Sequence, residues 1–556
     1  MKHLVLLLCL LAMPLHGQLL TENTEFDRGD TLRGTLGPDR TWFNVHYYEL
    51  HLAVDPENRT IQGYNDVYFE VLESHPTMQL DLFADIMRVD SITMNGKTLD
   101  YKREYNAVMI NTGSLKKGSK HKLRFAYHGT PIAAENPPWD GGFVWRKDSN
   151  DKHFIGVACE GLGASSWWPN KDHLSDEPDS MMLSVAVPSD LVMVGNGTLR
   201  SKKREGDYMR YNWFVANPIN NYNISVNIGD YGHFSDVHKY EDGEELMIDY
   251  YVLQENMDTA MGHLPRWTLP MMDCFEQYLG KYPFMEDGMA LVETPYLGME
   301  HQSAIAYGNG YQHGYAGMDF SRIGLDFDYI IIHETGHEWW GNAVSCSDMA
   351  DLWIHEGFCT YSEALYVECL HGADTAQLYI NAKKRGVDNK KPIQGRYGVN
   401  EEGDGDMYAK GSLLMNTIRH TIDNDEAWFK ILKQMPIDFK YTPVDAEDVI
   451  SYINKFSGMK LNNIFEQYLK YPAIPRFEYS TTQKRNCTIL KYRWDTDAAS
   501  FDMPFDYKDA KGEWQRLQPT SEWQEVKIKK VLPENLELGE NRFYVELKEV
   551  PVAVTD

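Results

Sequence analysis

From Thr41 to Ser235 apolar and polar residues alternate along the chain with a period of two. In YYELHLAV the side chains of Tyr48, Leu50, Leu52 and Val54 share one face, and DVYFEVLE and HKLRFAYHG repeat the pattern. Turn-forming segments such as DPENRT, MNGK, SLKKGSK and GNGT separate these runs. The alternation predicts a β-rich domain of about two hundred residues.

From about Leu246 the spacing of apolar groups becomes helical, first in MDTAMGHLPRWTLPMMDCFEQYLG, which KYPF then breaks. It returns from Asp326 to Trp340, Gly357 to Cys369 and Gly411 to Arg419, and in VDAEDVISYINKFSG and NNIFEQYLKY. Beyond Tyr471, PAIPRFEYS opens a second alternating stretch, in which CTILKYRW, WQEVKIKKV and NRFYVELKEV read as strands of a small sandwich. The expected architecture is multidomain α+β: a β-rich domain over 18–235, a mainly α domain over 236–471 and a small β-sandwich over 472–556.

The first residues, MKHLVLLLCLLAMPLHGQ, have a short positive start, an apolar stretch from Leu4 to Met13 and a small residue at Gly17, so 1–17 read as a signal peptide. That apolar stretch is too short for the ~20 residues that span a bilayer, so the expectation is a secreted or periplasmic protein with no transmembrane segment. A net charge of −28 and no Lys/Arg-rich stripe argue against nucleic acid as a partner. Past the leader, Cys159, Cys274, Cys346, Cys359, Cys369 and Cys487 form neither a disulfide framework nor a C-x-x-C site, so buried thiols with a bridge or two at most are expected. Asn58, Asn196, Asn223 and Asn486 stand in glycosylation sequons.

The chemistry concentrates in IIIHETGHEWWGN, where His333-Glu334-Thr335-Gly336-His337 fits H-E-x-x-H. On a helix both imidazoles project from one face and can reach one ion, with Glu334 beside it. The same letters fit a helix that merely carries histidines, although the apolar YIII approach favours burial, where unpaired polar groups are costly. A catalytic zinc site needs a third protein ligand and an open position. Glu356 follows His337 after eighteen intervening residues in DLWIHEGFCTYSEAL; taken alone it is an acid that the helix dipole favours.

Together, H-E-x-x-H, the eighteen-residue gap and E-G-F resemble the gluzincin zinc aminopeptidases of the aminopeptidase N family, peptidase family M1. YLGMEHQSA resembles its G-x-M-E-N motif through Gly298, Met299 and Glu300, with His301 where Asn is usual, and His355 likewise replaces the Asn before the ligand glutamate. ACEGLGASSWWPNKDHLSDEP places Glu160 where the family keeps an acid or amide for the substrate amine, and MYAKGSLL resembles Y-x-K-G, with Tyr408 as the phenol over the metal. The resemblance covers roughly Thr41 to Tyr471 and implies a saddle-like first domain and a thermolysin-like catalytic domain. The large C-terminal helical domain of many members of that family is not expected here.

What the resemblance implies is one Zn2+ per chain on His333, His337 and Glu356, Glu334 as general base, and Tyr408 as donor to the developing oxyanion. Glu300 and Glu160, with Gly298 and Met299 beside them, would bind the free α-ammonium of a peptide, making the enzyme an aminopeptidase. Glu363, seven positions after Glu356, reads either as an acceptor for a ligand histidine or as a plain helix-face acid. Trp167, Trp168, Trp339 and Trp340 read as packing. Two alternatives stand beside this reading. One is epoxide hydrolysis, as in the family's leukotriene-hydrolysing branch, which carries an amide where Glu160 stands; the other is a non-catalytic peptide-binding module.

Overall fold

The computed structural model describes residues 25–551, apart from 322 and 324–326. The predicted signal peptide lies outside the described residues. Among them no helix is long and apolar enough to cross a membrane.

The alternating segment folds into an eight-stranded sheet centred on Phe43–Asp55, which pairs antiparallel with Thr60–Val71 and parallel with Ser180–Pro188. Tyr48, Leu50, Leu52 and Val54 are all buried on its inner face, as period two requires. A second, four-stranded sheet contains His153–Ala158, and Glu160 lies just beyond the end of that strand.

Strands also open the part whose spacing predicts helices. Tyr231–Lys239, Glu245–Leu253, Met289–Glu293, Ile305–Tyr307 and Gly298–Met299 form a five-stranded sheet, in that order. Met289–Glu293 is buried throughout and has no alternation to read, which is why period two misses it. Behind the sheet pack helices α1 (Met257–Leu279), α2 (Tyr329–Gly336), α3 (Trp353–His371) and α4 (Ala409–Ile422). A disulfide between Cys274 and Cys369 ties α1 to α3, while Cys159, Cys346, Cys359 and Cys487 are buried thiols.

The last part holds a four-stranded sheet, Gln524–Lys529, Cys487–Asp495, Arg476–Gln483 and Glu546–Glu549, and a two-stranded one. NRFYVELKEV contributes only Glu546–Glu549 to it. Around Tyr544 the helical domain takes the backbone instead: its N–H donates to Thr417 Oγ1 and its carbonyl accepts from Tyr468 Oη. One apolar core runs from the helices into this sheet through Phe465, Phe477 and Trp494.

Two of the four sequons are closed by the fold. Asn196 donates to the carbonyls of Asn223 and Gln302 at 2.9 and 2.8 Å, and Asn223 donates to Asn342 Oδ1 at 2.8 Å. Both are buried, whereas Asn58 and Asn486 are exposed.

Candidate metal centre

Helix α2 starts where Asp328 caps it. Its carboxylate accepts from the backbone N–H of Ile330, Asn309 Nδ2 and Tyr307 Oη at 3.1, 2.8 and 2.7 Å. Ile330, Ile331 and Ile332 are buried, so the helix enters the core and carries His333, Glu334 and His337 inward with it. Each imidazole is oriented from behind. His333 Nδ1 donates to Glu363 Oε1 and His337 Nδ1 to the Trp340 carbonyl, both at 2.8 Å, so each Nε2 is an acceptor. Those two Nε2 atoms lie 3.3 Å apart.

Glu356, in the first turn of α3, completes the group. Its Oε2 is 3.5 Å from both Nε2 atoms and has no hydrogen-bond donor, although it is buried. Three electron-pair donors thus face one point, an arrangement with no protein group at its centre to satisfy them. Glu363 accepts not only from His333 but from Tyr379 Oη at 2.7 Å and Lys383 Nζ at 2.6 Å. Burial alone would raise its pKa, but Lys383 and His333 draw it down to about 2. The Cys359 thiol also lies within 4.8 Å of the two imidazoles, but it donates to the His333 carbonyl.

Tyr408 immediately precedes α4, and its ring stacks beside His333 at 6.1 Å between centroids. Burial, with Glu356 and Glu160 near, pushes its hydroxyl well above the usual range, so it remains a donor. It comes so close because α3 and α4 meet at two glycines: a Cβ on Gly411 would stand 2.8 Å from the Gly357 Cα. Lys410 fixes the other side, donating to the carbonyls of Tyr471 and Pro472.

Glu334 faces the strand Gly298–Met299, and a Cβ on Gly298 would stand 2.4 Å from its Oε1. Burial, with Glu300 and Glu356 near, pushes Glu334 up to about 7. Glu300 follows that strand and accepts from Tyr222 Oη at 3.0 Å. Glu160 reaches in from the first domain, its pKa held well above the carboxylate range by burial and by Glu300 and Glu356. Glu160, Glu300, Glu334, His333, His337, Glu356 and Tyr408 all line one cavity of about 610 Å3, with Gly298 and Met299 in its wall. The structure therefore gathers every site residue that the sequence singles out.

Comparison with known proteins agrees with this geometry. Residues 267–468 match the peptidase family M1 domain. Aminopeptidase N of Lactobacillus helveticus is 22% identical over 457 residues, which cover 78% of this chain and 51% of that one. The chain thus carries a peptidase family M1 domain over residues 267–468. Another relative, leucyl aminopeptidase of Saccharolobus solfataricus, is 20% identical over 463 residues, covering 79% of this chain and 55% of its own. The chain spans about half the length of the curated relatives it matches. Its fold is that of the M1 zinc metallopeptidase from Deinococcus radiodurans, with a TM-score of 0.65 at 19% identity, over 78% of this chain and 95% of that one.

The two histidines that stand where the resembled motifs usually have asparagine, His301 and His355, lie behind the cavity wall. His301 is fully buried, and burial lowers its pKa to about 3, so the ring is neutral. His355 is also fully buried, with a pKa lowered to about 3 by burial and by His337. Trp167, Trp168, Trp339 and Trp340 are core residues; Trp340 stacks on Phe358 at 4.6 Å. Sequence reasoning passes over Tyr222, Tyr379 and Lys383, because each meets its carboxylate across a long stretch of chain and carries no local motif.

Proposed function

We propose that this protein is a zinc-dependent aminopeptidase that removes N-terminal residues from peptides. The observation that carries the reading is a carboxylate pair, Glu160 and Glu300, lining the same cavity as the three converging donors. Zinc bound at about 2.0–2.2 Å in a tetrahedral site separates its ligands by about 3.3–3.6 Å. The separations among His333, His337 and Glu356 are 3.3 to 3.5 Å, and the orphaned Glu356 Oε2 supports the same assignment. When bound there, zinc lowers the pKa of a water to about 7 and polarises the scissile carbonyl.

The chain's own residues supply the rest. Glu334, one position after His333, takes a proton from the attacking water on its carboxylate and delivers it to the leaving nitrogen; a pKa near neutrality suits both steps. Tyr408 donates to the carbonyl oxygen as negative charge grows there, a role worth about 3–4 kcal/mol in comparable sites. Glu300 and Glu160 take the α-ammonium, and a blocked or internal peptide leaves two buried acids unpaired, so it is rejected. Gly298 gives Glu334 its space, and Met299 forms apolar wall beside the amine. The Cys274–Cys369 bridge supports an oxidising compartment, in keeping with a secreted or periplasmic protein.

A panel of amino-acid arylamides and their N-acetylated forms, with and without a chelator, tests the reading. Turnover should be confined to free amines and lost on chelation. Equal turnover of the acetylated forms would overturn it.

A further inference from the structure

His355 and Glu160 each keep a buried, unpartnered atom, and the two atoms face each other. His355 Nδ1 and Glu160 Oε1 lie 3.9 Å apart, and neither has a hydrogen-bond partner. Glu160 comes from the first domain and His355 from α3, one residue before Glu356, so the pair spans the joint between the two. Glu160 lines the cavity, whereas His355 stands behind it.

The tautomer of His355 follows from its other nitrogen. The backbone N–H of Cys346 donates to His355 Nε2 at 2.8 Å, so Nε2 is the acceptor and the neutral ring carries its proton on Nδ1. That proton decides between two uses of the cluster. Donor atoms of Glu160, Glu300 and His355 lie within 4.8 Å of one another, close enough to hold a cation. A metal ion would need the lone pair that Nδ1 does not have, whereas an ammonium needs acceptors only from the two carboxylates. The cluster is thus matched to an organic cation, with the imidazole as donor to one of its acids.

We propose that His355 is a positioning residue for the substrate amine: its Nδ1–H, oriented by the Cys346 N–H, closes onto Glu160 Oε1 when a peptide's α-ammonium settles between Glu160 and Glu300. The contact is about 1 Å beyond hydrogen-bond length. An ionised carboxylate is a strong acceptor, and a donor already aimed at its other oxygen fixes which lone pairs meet the substrate. The imidazole reaches the Cys346 N–H with one nitrogen and points the other towards Glu160.

This inference rests on the aminopeptidase reading, and a double-mutant cycle on free-amine arylamides separates the two. The variants are His355→Phe, Glu160→Gln and their combination, each with metal content measured. His355→Phe should raise KM about tenfold or more, the loss of one hydrogen bond to a charged group, while kcat stays within about threefold and one zinc per chain remains. In the Glu160→Gln background the same substitution should change KM by less than about twofold. His355→Gln, which keeps an acceptor for Cys346 and a donor for Glu160, should recover most of the loss and serves if the phenylalanine variant does not fold. Additive effects in the cycle, or a second metal ion per chain in the wild type, would overturn the role of His355. Wild-type turnover of acetylated substrates would overturn the aminopeptidase reading itself.

Discussion

Gly298→Ala adds one methyl group and tests how tightly Glu334 is seated. The new Cβ would stand 2.4 Å from Glu334 Oε1, and 2.9 Å from both its Cδ and Ile330 Cγ2. Ordinary contact begins near 3.4 Å, so the carboxylate must retreat by about 1 Å. Gly298 sits in a strand, paired with Tyr307, and alanine is at ease in that backbone. The cost therefore falls on Glu334, with a smaller adjustment of the Ile330 side chain, rather than on the strand backbone. A displacement of about 1 Å in a catalytic group costs on the order of 100-fold, equal to about 2.7 kcal/mol of barrier. Removing the base outright, as in Glu334→Gln, should cost up to about 10⁴-fold, and Gly298→Ala should add little on top of it.

Steady-state kinetics on a free-amine arylamide, with metal content and melting temperature measured in parallel, read this out. The expected variant keeps its metal and its melting temperature while kcat falls. A Gly298→Ala enzyme with wild-type kcat would refute the reasoning, because Glu334 would then tolerate a shift that general-base catalysis does not allow.

Three further outcomes follow from the same geometry. Glu363→Ala leaves His333 Nδ1, Tyr379 and Lys383 without their acceptor, and metal affinity should fall about 10- to 100-fold in competition with a chelator. Gly411→Ala sets a Cβ 2.8 Å from the Gly357 Cα, where no flexible group can give way, and should cost about 1–3 kcal/mol in urea unfolding. Burial pushes Glu338 up to about 8 from an ordinary 4.5, even with a donor from the Ser303 N–H. Between those pH values the folded chain holds more protons than the unfolded one, so stability falls as pH rises through that window. Glu338→Gln should melt above the wild type at pH 8.5 and lose that advantage near pH 4.5; a gap independent of pH would show that Glu338 is ionised throughout.

The parts of the site legible in the sequence are those held by local periodicity. His333, Glu334 and His337 lie within about one turn of a helix, and Glu356 and Glu363 on one face of another, so periodicity makes them candidates and the family resemblance gives them roles. The long alternating strands are legible for the same reason. What is hidden depends on contacts between distant segments. Tyr222 meets Glu300 across 78 positions, and Cys274 pairs with Cys369 across 95. Asn196 and Asn58 have the same local sequon, and only the fold shows that the first spends its amide on two backbone carbonyls. His355 is the sharpest case: it departs from the pattern with no visible reason until Cys346 and Glu160 stand on either side of it.

The match to the peptidase domain, residues 267–468, contains His333, His337, Glu356, Glu334 and Glu300. It does not contain Glu160 or Tyr222, which belong to the first domain and reach Glu300 from outside. The proposed metal ligands and base thus lie within the matched region, whereas the proposed amine site also draws on residues that precede it. The first domain is held in register by contacts with little freedom: Tyr296 Oη donates to the Val157 carbonyl at 3.0 Å, and Asn196 bonds across to Gln302. Both contacts lie within a few residues of Glu160 or Glu300. On the proposed reading, the choice of peptide ends over peptide interiors depends on how rigidly these segments meet, and His355, reaching from α3 towards Glu160, lies between them.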